Sequence, residues 1–234
     1  MAEFLELGKG IVKRTEHRAL GLFINGTGLD RATRRLNKKV EIGKLVKGVI
    51  SGSQPVVARY YTLIPNEDDS RQRAFLDAVC AAGLEVVVKR LPPKGVTKQV
   101  SVDIEMASDI VAFALGFQNF SNNSTYKKEL EEAKPSSPSG ILGIDRIRRQ
   151  NTNYQPLTET KKEKKIDLPQ DQSSIKRIVT IVCPTRELSY SVSLVKEFGV
   201  DTITADFGQF NSGDVLKSAA KWIDLSDSET IWRD

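Results

Sequence analysis

The stretch "GLFINGTGLD", residues 21–30, decides the fold class of this chain. A continuous apolar run over residues 19–24 leads into Asn25 and Gly26, and a basic segment of helical period follows. A short apolar run that ends in a polar residue is typical of a buried strand that carries a side chain to the edge of a sheet. The residue carried here is Asn25, whose amide lacks the charge with which a carboxylate holds a metal ion.

The alternation of a short apolar run with a helical segment continues outward along the chain. Turn residues bound the runs, and the helical segments place apolar residues three and four positions apart. This pattern predicts an α/β fold with a mainly parallel central sheet of about five strands, covered by helices on both faces. The predicted strands are 19–25, 56–61, 84–88, 178–182 and 200–204, and the predicted helices lie within 28–50, 68–82, 102–115, 186–198 and 213–223.

One segment, residues 117–176, breaks this alternation. It is rich in Asn, Ser, Pro, Gly and Lys, a composition that cannot bury a core. We interpret it as a long, partly disordered basic insertion within a single domain that spans residues 1–234. A short apolar island at 141–147 is expected either to dock on the body of the domain or to hold a protein partner.

Charge and composition restrict the class of protein. The formal net charge is +5, and residues 1–50 hold 11 Lys and Arg against 5 Asp and Glu, so a surface that attracts phosphate is expected near the first strand. The absence of a membrane span, the absence of a signal-peptide pattern and the wide separation of Cys80 from Cys183 favour a cytoplasmic protein. The one histidine, His17, is expected at the surface, which argues against Ser-His-Asp, Cys-His and zinc chemistry.

Polar residues are expected where the predicted strands end, because ligands of open α/β sheets bind at that edge. Asp103 and Asp109 are six residues apart, about 240° on a regular helix, so both reach one cleft only if Asp103 lies at or before the first turn. A carboxylate cluster without histidine suits Mg²⁺ or Mn²⁺, which support phosphoryl-transfer chemistry. The polar residues expected at this edge are Asn25, Asp103, Glu105, Asp109, Thr185, Glu187 and Asp206.

Six motifs follow one another in the order and spacing of a known family. They are "FINGTGL" (23–29), "ARYYTLIP" (58–65), "AAGLEVVVKR" (81–90), "KQVSVDIEMASD" (98–109), "CPTRELSYSV" (183–192) and "SGDVLKSAAKWIDL" (212–225). Together they resemble the NYN domain, a PIN-like nuclease fold group that includes the LabA-type proteins. The resemblance implies a Rossmann-like three-layer sandwich and a ribonuclease activity that depends on Mg²⁺ or Mn²⁺.

The chain departs from this family at positions that are expected to be acidic. The family pattern "FIDGxNL" has its first acid where Asn25 stands, and the two aspartates of "SGDGDF" correspond to Thr185 and Glu187. Asp103 and Asp109 match the family. The resemblance therefore makes Asp103, Asp109 and Glu187 the candidate catalytic residues, and Asp103 and Glu187 the candidate metal ligands, of a weakened or lost nuclease site.

Three functions follow from these observations. The first is an RNA-associated regulator that binds phosphates through the basic segment after the first strand. The second is an active Mg²⁺- or Mn²⁺-dependent endoribonuclease that uses Asp103, Asp109 and Glu187. Compensation for a missing acid by Glu105 or Asp206 is a separate alternative to the loss of the site. The third is a protein-interaction adaptor that acts through residues 117–176, and a homodimer also remains open. The candidate RNA-binding residues are Arg31, Arg34, Arg35, Lys38 and Lys39.

Overall fold

The computed structural model describes residues 17–50, 52–66, 70–118, 126, 175–211, 213–226 and 231–233. For His17, Ser70 and Arg71 the description covers the backbone alone. The partly disordered character predicted for residues 117–176 and the role predicted for the apolar island 141–147 fall almost entirely outside the described residues. The surface position predicted for the His17 side chain also falls outside them.

In the described part of the chain, six strands form one parallel sheet, which confirms the predicted α/β architecture. Their order across the sheet is β3-β2-β1-β4-β5-β6, so the first strand lies near the centre and pairs with both β2 and β4. The strands are β1 (His17–Asn25), β2 (Val57–Ile64), β3 (Glu85–Arg90), β4 (Ile175–Val182), β5 (Asp201–Asp206) and β6 (Lys221–Asp224).

Helices connect the strands and cover the sheet. The segment 28–50 resolves into two helices, because Asn37 ends the first of them in the left-handed conformation with a φ of 51°. None of the described helices is long and apolar enough to span a membrane. The helices are α1 (Gly26–Leu36), α2 (Ile42–Ile50), α3 (Ser70–Ala81), α4 (Asp103–Ala114), α5 (Ser189–Glu197) and α6 (Gly213–Ser218), and a short 3₁₀ turn covers Arg186–Leu188.

The strand β1 divides the buried side chains into two layers. Leu22 and Ile24 face α1, α2 and α3, whereas Phe23 faces α4 and α5. All three side chains are fully buried. Because successive residues of a strand point to opposite faces, this one apolar run packs against helices on both sides of the sheet. The result is the three-layer sandwich expected from the resemblance.

The prediction of a single helix over 213–223 is wrong at its C-terminal end. The helix α6 ends at Ser218, and β6 then pairs with β5 in parallel. The backbone N–H of Ala220 donates to the carbonyl oxygen of Thr202 at 3.0 Å, which starts the pairing. The backbone groups of β5 on this side would otherwise lack partners, so strand pairing overrides the local helical pattern.

Two parts of the predicted insertion belong to the folded body. The strand β4 begins at Ile175, so it includes the last two residues of the segment 117–176. Tyr126 is 3% exposed and packs in the core layer beneath α1, α2 and α3. At least this position within 117–176 therefore contributes apolar surface to the core.

Candidate functional site

A cleft of about 780 Å³ opens at the carboxyl edge of the sheet, where β1 and β4 end. In the order β3-β2-β1-β4-β5-β6 the winding of the chain reverses at this pair of strands. Open α/β sheets bind their ligands at such a reversal point. Asn25 at the end of β1, Thr185 after β4 and Asp103 at the start of α4 all line the cleft.

Asn25 is held in place by two hydrogen bonds and is only 1% exposed. Its Oδ1 accepts from the backbone N–H of Gly28 at 3.0 Å, so it caps the N-terminus of α1. Its Nδ2 donates to Asp103 Oδ1 at 3.2 Å. A Cβ at Gly28 would lie 2.6 Å from the carbonyl oxygen of Cys183, so this glycine lets the first turn of α1 approach the end of β4.

Asp103 accepts hydrogen bonds on both carboxylate oxygens. Thr185 Oγ1 donates to Oδ1 at 2.8 Å, alongside the Asn25 amide. Ser101 Oγ donates to Oδ2, and the same hydroxyl accepts from the backbone N–H of Asp103 at 3.1 Å. The negative charge of Asp103 is therefore stabilised by three side-chain donors from β1, the loop before α4 and the loop after β4. We call these four residues the Asp103 cluster.

The remaining charged groups of the cleft are of both signs. Arg31 and Arg35 of α1 contribute positive charge, and Glu187 is exposed in the 3₁₀ turn after β4. Arg186 also lines the cleft and pairs with Asp214 at 2.8 Å. The cleft therefore carries less negative charge than a cluster of four or five carboxylates would.

Asp206 lies in the wall of the cleft, at the end of β5, and is 4% exposed. Burial raises the pKa of Asp206 to about 6, and the nearby charge of Asp224 adds to the increase. The backbone N–H of Phe207 donates to Asp206 Oδ1 at 2.8 Å. This hydrogen bond and the one with Cys183 lower the pKa of Asp206, but by less than burial raises it. Burial and Asp206 together raise the pKa of the Cys183 thiol well above its ordinary value, so it remains a thiol.

The position of Asp206 predicts a pH dependence of stability. Because the pKa of its folded form lies above the ordinary value of 3.8, the folded chain holds this proton more tightly than the unfolded chain between about pH 4 and 6. Its contribution to the free energy of unfolding is present below pH 4 and falls by about 2–3 kcal/mol as the pH rises through 6. We expect Asp206→Asn to remove this fall in urea titrations across the window, whereas Asp201→Asn at the half-buried start of β5 should retain it. A wild-type slope in Asp206→Asn would contradict the assignment.

Asp109 does not share the cleft with Asp103. It lies on α4 beside β2, where its Oδ2 accepts from Arg59 Nη1 at 2.6 Å and from the Tyr61 hydroxyl at 2.7 Å. Arg59 is 2% exposed and also pairs with Glu85 at 2.8 Å. Asp103 is the first residue of α4, but the six-residue separation turns Asp109 toward the sheet instead. The structure thus separates these two candidate catalytic residues.

Glu105 is also engaged away from the cleft. Its Oε1 accepts from Lys89 Nζ at 2.7 Å, and it does not line the cavity. Of the two residues expected to compensate for a missing acid, the structure therefore brings Asp206 to the cleft and leaves Glu105 outside it.

The basic residues of α1 and of the segment that follows it face two different cavities. Arg31 and Arg35 line the cleft, with the Arg35 guanidinium 5.3 Å from the centre of the Phe210 ring. Arg34, Lys38 and Lys39 line a second cavity of about 540 Å³ between α1 and α3. The five candidate RNA-binding residues therefore do not form one patch, and α1 is a ridge between two cavities.

Comparison with known proteins concerns the family and the fold of the chain. The family model described as "NYN domain" matches residues 19–121, which include β1, Asn25, Asp103 and α4. This part of the chain is therefore similar to the NYN domain. The match ends at residue 121, so the part of the cleft that follows β4, including Thr185 and Glu187, lies beyond the matched NYN residues.

A solved structure supports the fold over a larger part of the chain than the NYN match. A protein of unknown function from Vibrio parahaemolyticus is 11% identical, with a TM-score of 0.57, and the alignment covers 94% of this chain and 99% of the other. At this identity the similarity concerns the fold alone. No curated protein matches the sequence.

The similarity to the NYN domain implies a divalent metal, so the donor atoms of the cleft have to be compared with that requirement. Asn25 and Thr185 direct an N–H and an O–H toward Asp103, where a hard cation requires oxygen lone pairs. The carbonyl oxygen of the Asn25 side chain is taken by Gly28. Among the residues that the structure describes, no three His, Cys, Asp or Glu side chains group in a way that could hold a metal ion. The residues of the cleft do not fit such an ion in the observed arrangement.

Two interactions of the candidate residues are not predicted from the sequence. The first involves Ser101, although a serine hydroxyl can accept from the backbone N–H two residues further along the chain, as it does here from Asp103. The Arg59–Asp109 pair was also missed. Its signal was present in "ARYYTLIP", because Arg59 and Tyr61 are two residues apart on a buried strand and must face the same side of the sheet.

Proposed function

We propose that this NYN-domain protein binds single-stranded RNA at the cleft and has lost the metal-dependent ribonuclease centre of its superfamily. The observation that carries the proposal is the Asp103 cluster, in which Asn25 and Thr185 donate hydrogen bonds to the carboxylate. By resemblance, both positions belong to acidic residues in active members.

The chemistry of the cluster supports a structural role for Asp103. Three donors stabilise its charge without a cation, and Asn25 also caps α1, so the cluster joins β1, α1, α4 and the end of β4. A half-buried carboxylate with several donors needs no cation to be stable. The cleft therefore keeps its shape without a metal ion.

The charges of the cleft support RNA as the ligand. Arg31 and Arg35 point positive charge into it, and the replacement of two acids by Asn25 and Thr185 lowers the repulsion of a phosphate backbone. Single strands of RNA bind such surfaces through phosphate contacts, with an affinity that falls as salt rises. A regulatory role and a cytoplasmic location, expected from the sequence, belong to the same proposal.

The alternative is an active endoribonuclease, which the acids of the cleft favour. Asp103, Glu187 and Asp206 all line the cavity, and a rearrangement that turned Asn25 and Thr185 away would free Asp103 for Mg²⁺ or Mn²⁺. Asp109 would not take part, because it is bound to Arg59. The adaptor function rests on features that lie outside the described residues. The homodimer rests on no contact that the structure provides.

Reversal of the charges in the cleft tests RNA binding. We expect Arg31→Glu/Arg35→Glu to weaken the binding of a short single-stranded RNA at least about tenfold at low salt, and to reduce the dependence of log affinity on log salt by about 0.7 for each lost phosphate contact. Fluorescence anisotropy over salt concentrations of about 50 to 200 mM measures both quantities.

The matched control is Lys47→Glu/Lys196→Glu, which makes the same change in charge on exposed residues of α2 and α5 that line neither cavity. It should bind RNA within a factor of about two or three of the wild type, because distant exposed charges are screened. Equal losses in both double variants would show that binding follows net charge and does not occur at the cleft. If the wild type does not bind RNA at low salt, the proposed function is overturned.

A further inference from the structure

The second cavity lies on the opposite side of α1 from the cleft and adjoins it. Thr27 and Leu63 line both cavities, so a strand that occupies the cleft can continue into the second cavity across the first turn of α1. Its volume of about 540 Å³ falls in the range of small-molecule sites.

An aromatic pair forms one wall of the second cavity. Tyr60 is 2% exposed, and its ring is 6.0 Å from that of Phe75 in an edge-to-face arrangement. Phe75 is 43% exposed and lies beside the cavity, next to Leu76, which is buried. An aromatic ring with an open face at a cavity is the feature on which nucleobases stack.

A buried polar atom that has no hydrogen-bond partner among the described residues lies in the same wall. Gln72 of α3 lines the second cavity, and its Oε1 is buried without a donor among the described residues. An unsatisfied buried acceptor is unfavourable, and the last torsion of glutamine is broad enough to turn this oxygen toward a donor that enters the cavity. Every nucleobase carries an N–H donor on its Watson–Crick edge.

The rim of the second cavity is positively charged. Arg34, Lys38, Lys39 and Arg233 oppose a single described acid, Asp30, which pairs with Arg34 at 3.0 Å. The C-terminal segment supplies Arg233, since the backbone N–H of Arg233 donates to the carbonyl oxygen of Lys39 at 2.8 Å. Cations at the rim and an aromatic wall inside match a ligand with one phosphate and one planar base.

We propose that the second cavity is a nucleotide-binding site that receives one nucleotide of the RNA strand bound in the cleft. The base stacks on Phe75 and donates to Gln72, and its phosphate lies among the cations of the rim. The inference rests on the proposed function, because the strand is the source of the nucleotide. A free mononucleotide has the same chemistry, and the test separates the two sources.

The test uses a short RNA that contains 2-aminopurine, whose fluorescence falls when the base stacks. The wild type is compared with Phe75→Ala and with Phe198→Ala, which removes an equally exposed ring, 47% against 43%, at the end of α5. We expect binding and quenching with the wild type and with Phe198→Ala. Phe75→Ala should lose the quenching and bind about tenfold more weakly, as expected for one stacked base. Adenosine 5′-monophosphate is titrated in parallel by calorimetry.

The outcomes distinguish this inference from the proposed function. RNA binding that is equal in all three proteins overturns the nucleotide site and leaves RNA binding at the cleft intact. Binding of adenosine 5′-monophosphate that depends on Phe75, without binding of RNA, supports a site for free nucleotides and overturns the proposed function. Absence of both kinds of binding overturns both proposals.

Discussion

Replacement of Asp109 by alanine is expected to lower the free energy of unfolding by about 3–5 kcal/mol. The side chain of Arg59 is 3% exposed, and without Asp109 it retains Glu85 as its carboxylate partner, while the Tyr61 hydroxyl loses its acceptor. A buried charge that loses a close partner keeps its cost of desolvation and recovers little from water. Urea denaturation of the wild type and of Asp109→Ala measures the difference.

The matched control is Asp30→Ala, which removes the partner of Arg34 in an exposed pair with side-chain exposures of 56% and 79%. Exposed pairs contribute about 0–1 kcal/mol, so this variant should remain close to the wild type. A loss in Asp109→Ala no larger than that in Asp30→Ala would contradict the structural role assigned to Asp109. Such a result would reopen its assignment as a catalytic residue.

Restoration of the two missing acids should create a metal site and a stability that depends on metal. In Asn25→Asp/Thr185→Asp, two new carboxylates replace the groups that now lie 3.2 and 2.8 Å from Asp103 Oδ1. Three carboxylates so close together repel one another, and Asp103 loses two donors. We expect the free energy of unfolding in EDTA to fall by at least about 2 kcal/mol.

Mn²⁺ should reverse this loss, because a ligand that binds only the folded chain at about 100 times its Kd stabilises it by about 2.7 kcal/mol. The control, Asn25→Ser/Thr185→Ser, retains hydroxyl groups that can cap α1 or donate to Asp103 but adds no charge. It should show no response to Mn²⁺ in thermal denaturation. A double aspartate variant that is equally stable in EDTA and in Mn²⁺ would show that the cleft does not have the geometry of a metal site.

The sheet could be predicted from the sequence because its central strands are buried on both faces. Runs such as that around Phe23 are continuous and apolar, and a helix of matching period follows each one. The strand β6 is not predicted because it is four residues long and Trp222 is 40% exposed. These residues form a strand because they pair with the edge of β5. Pairing between distant strands leaves no local signal in such a short segment.

The location of the site could also be predicted from the sequence, but its chemistry could be predicted only in part. The reversal point places Asn25 at the cleft once the strand order is known. The bond from Asn25 to Asp103 joins residues 78 positions apart, and no spacing rule predicts it. Asp109 was placed in the cleft by resemblance, whereas its partner Arg59 is found only when β2 and α4 are packed together.

By the proposed function, the cleft binds RNA without a metal and does not cleave it. This can be measured by incubating the wild type with end-labelled single-stranded RNA in EDTA and in Mn²⁺ and following both the affinity and the length of the RNA. We expect equal affinity in both conditions and intact RNA. Binding that requires Mn²⁺, or cleavage in Mn²⁺ that Asp103→Asn abolishes, would contradict it and establish an active endoribonuclease.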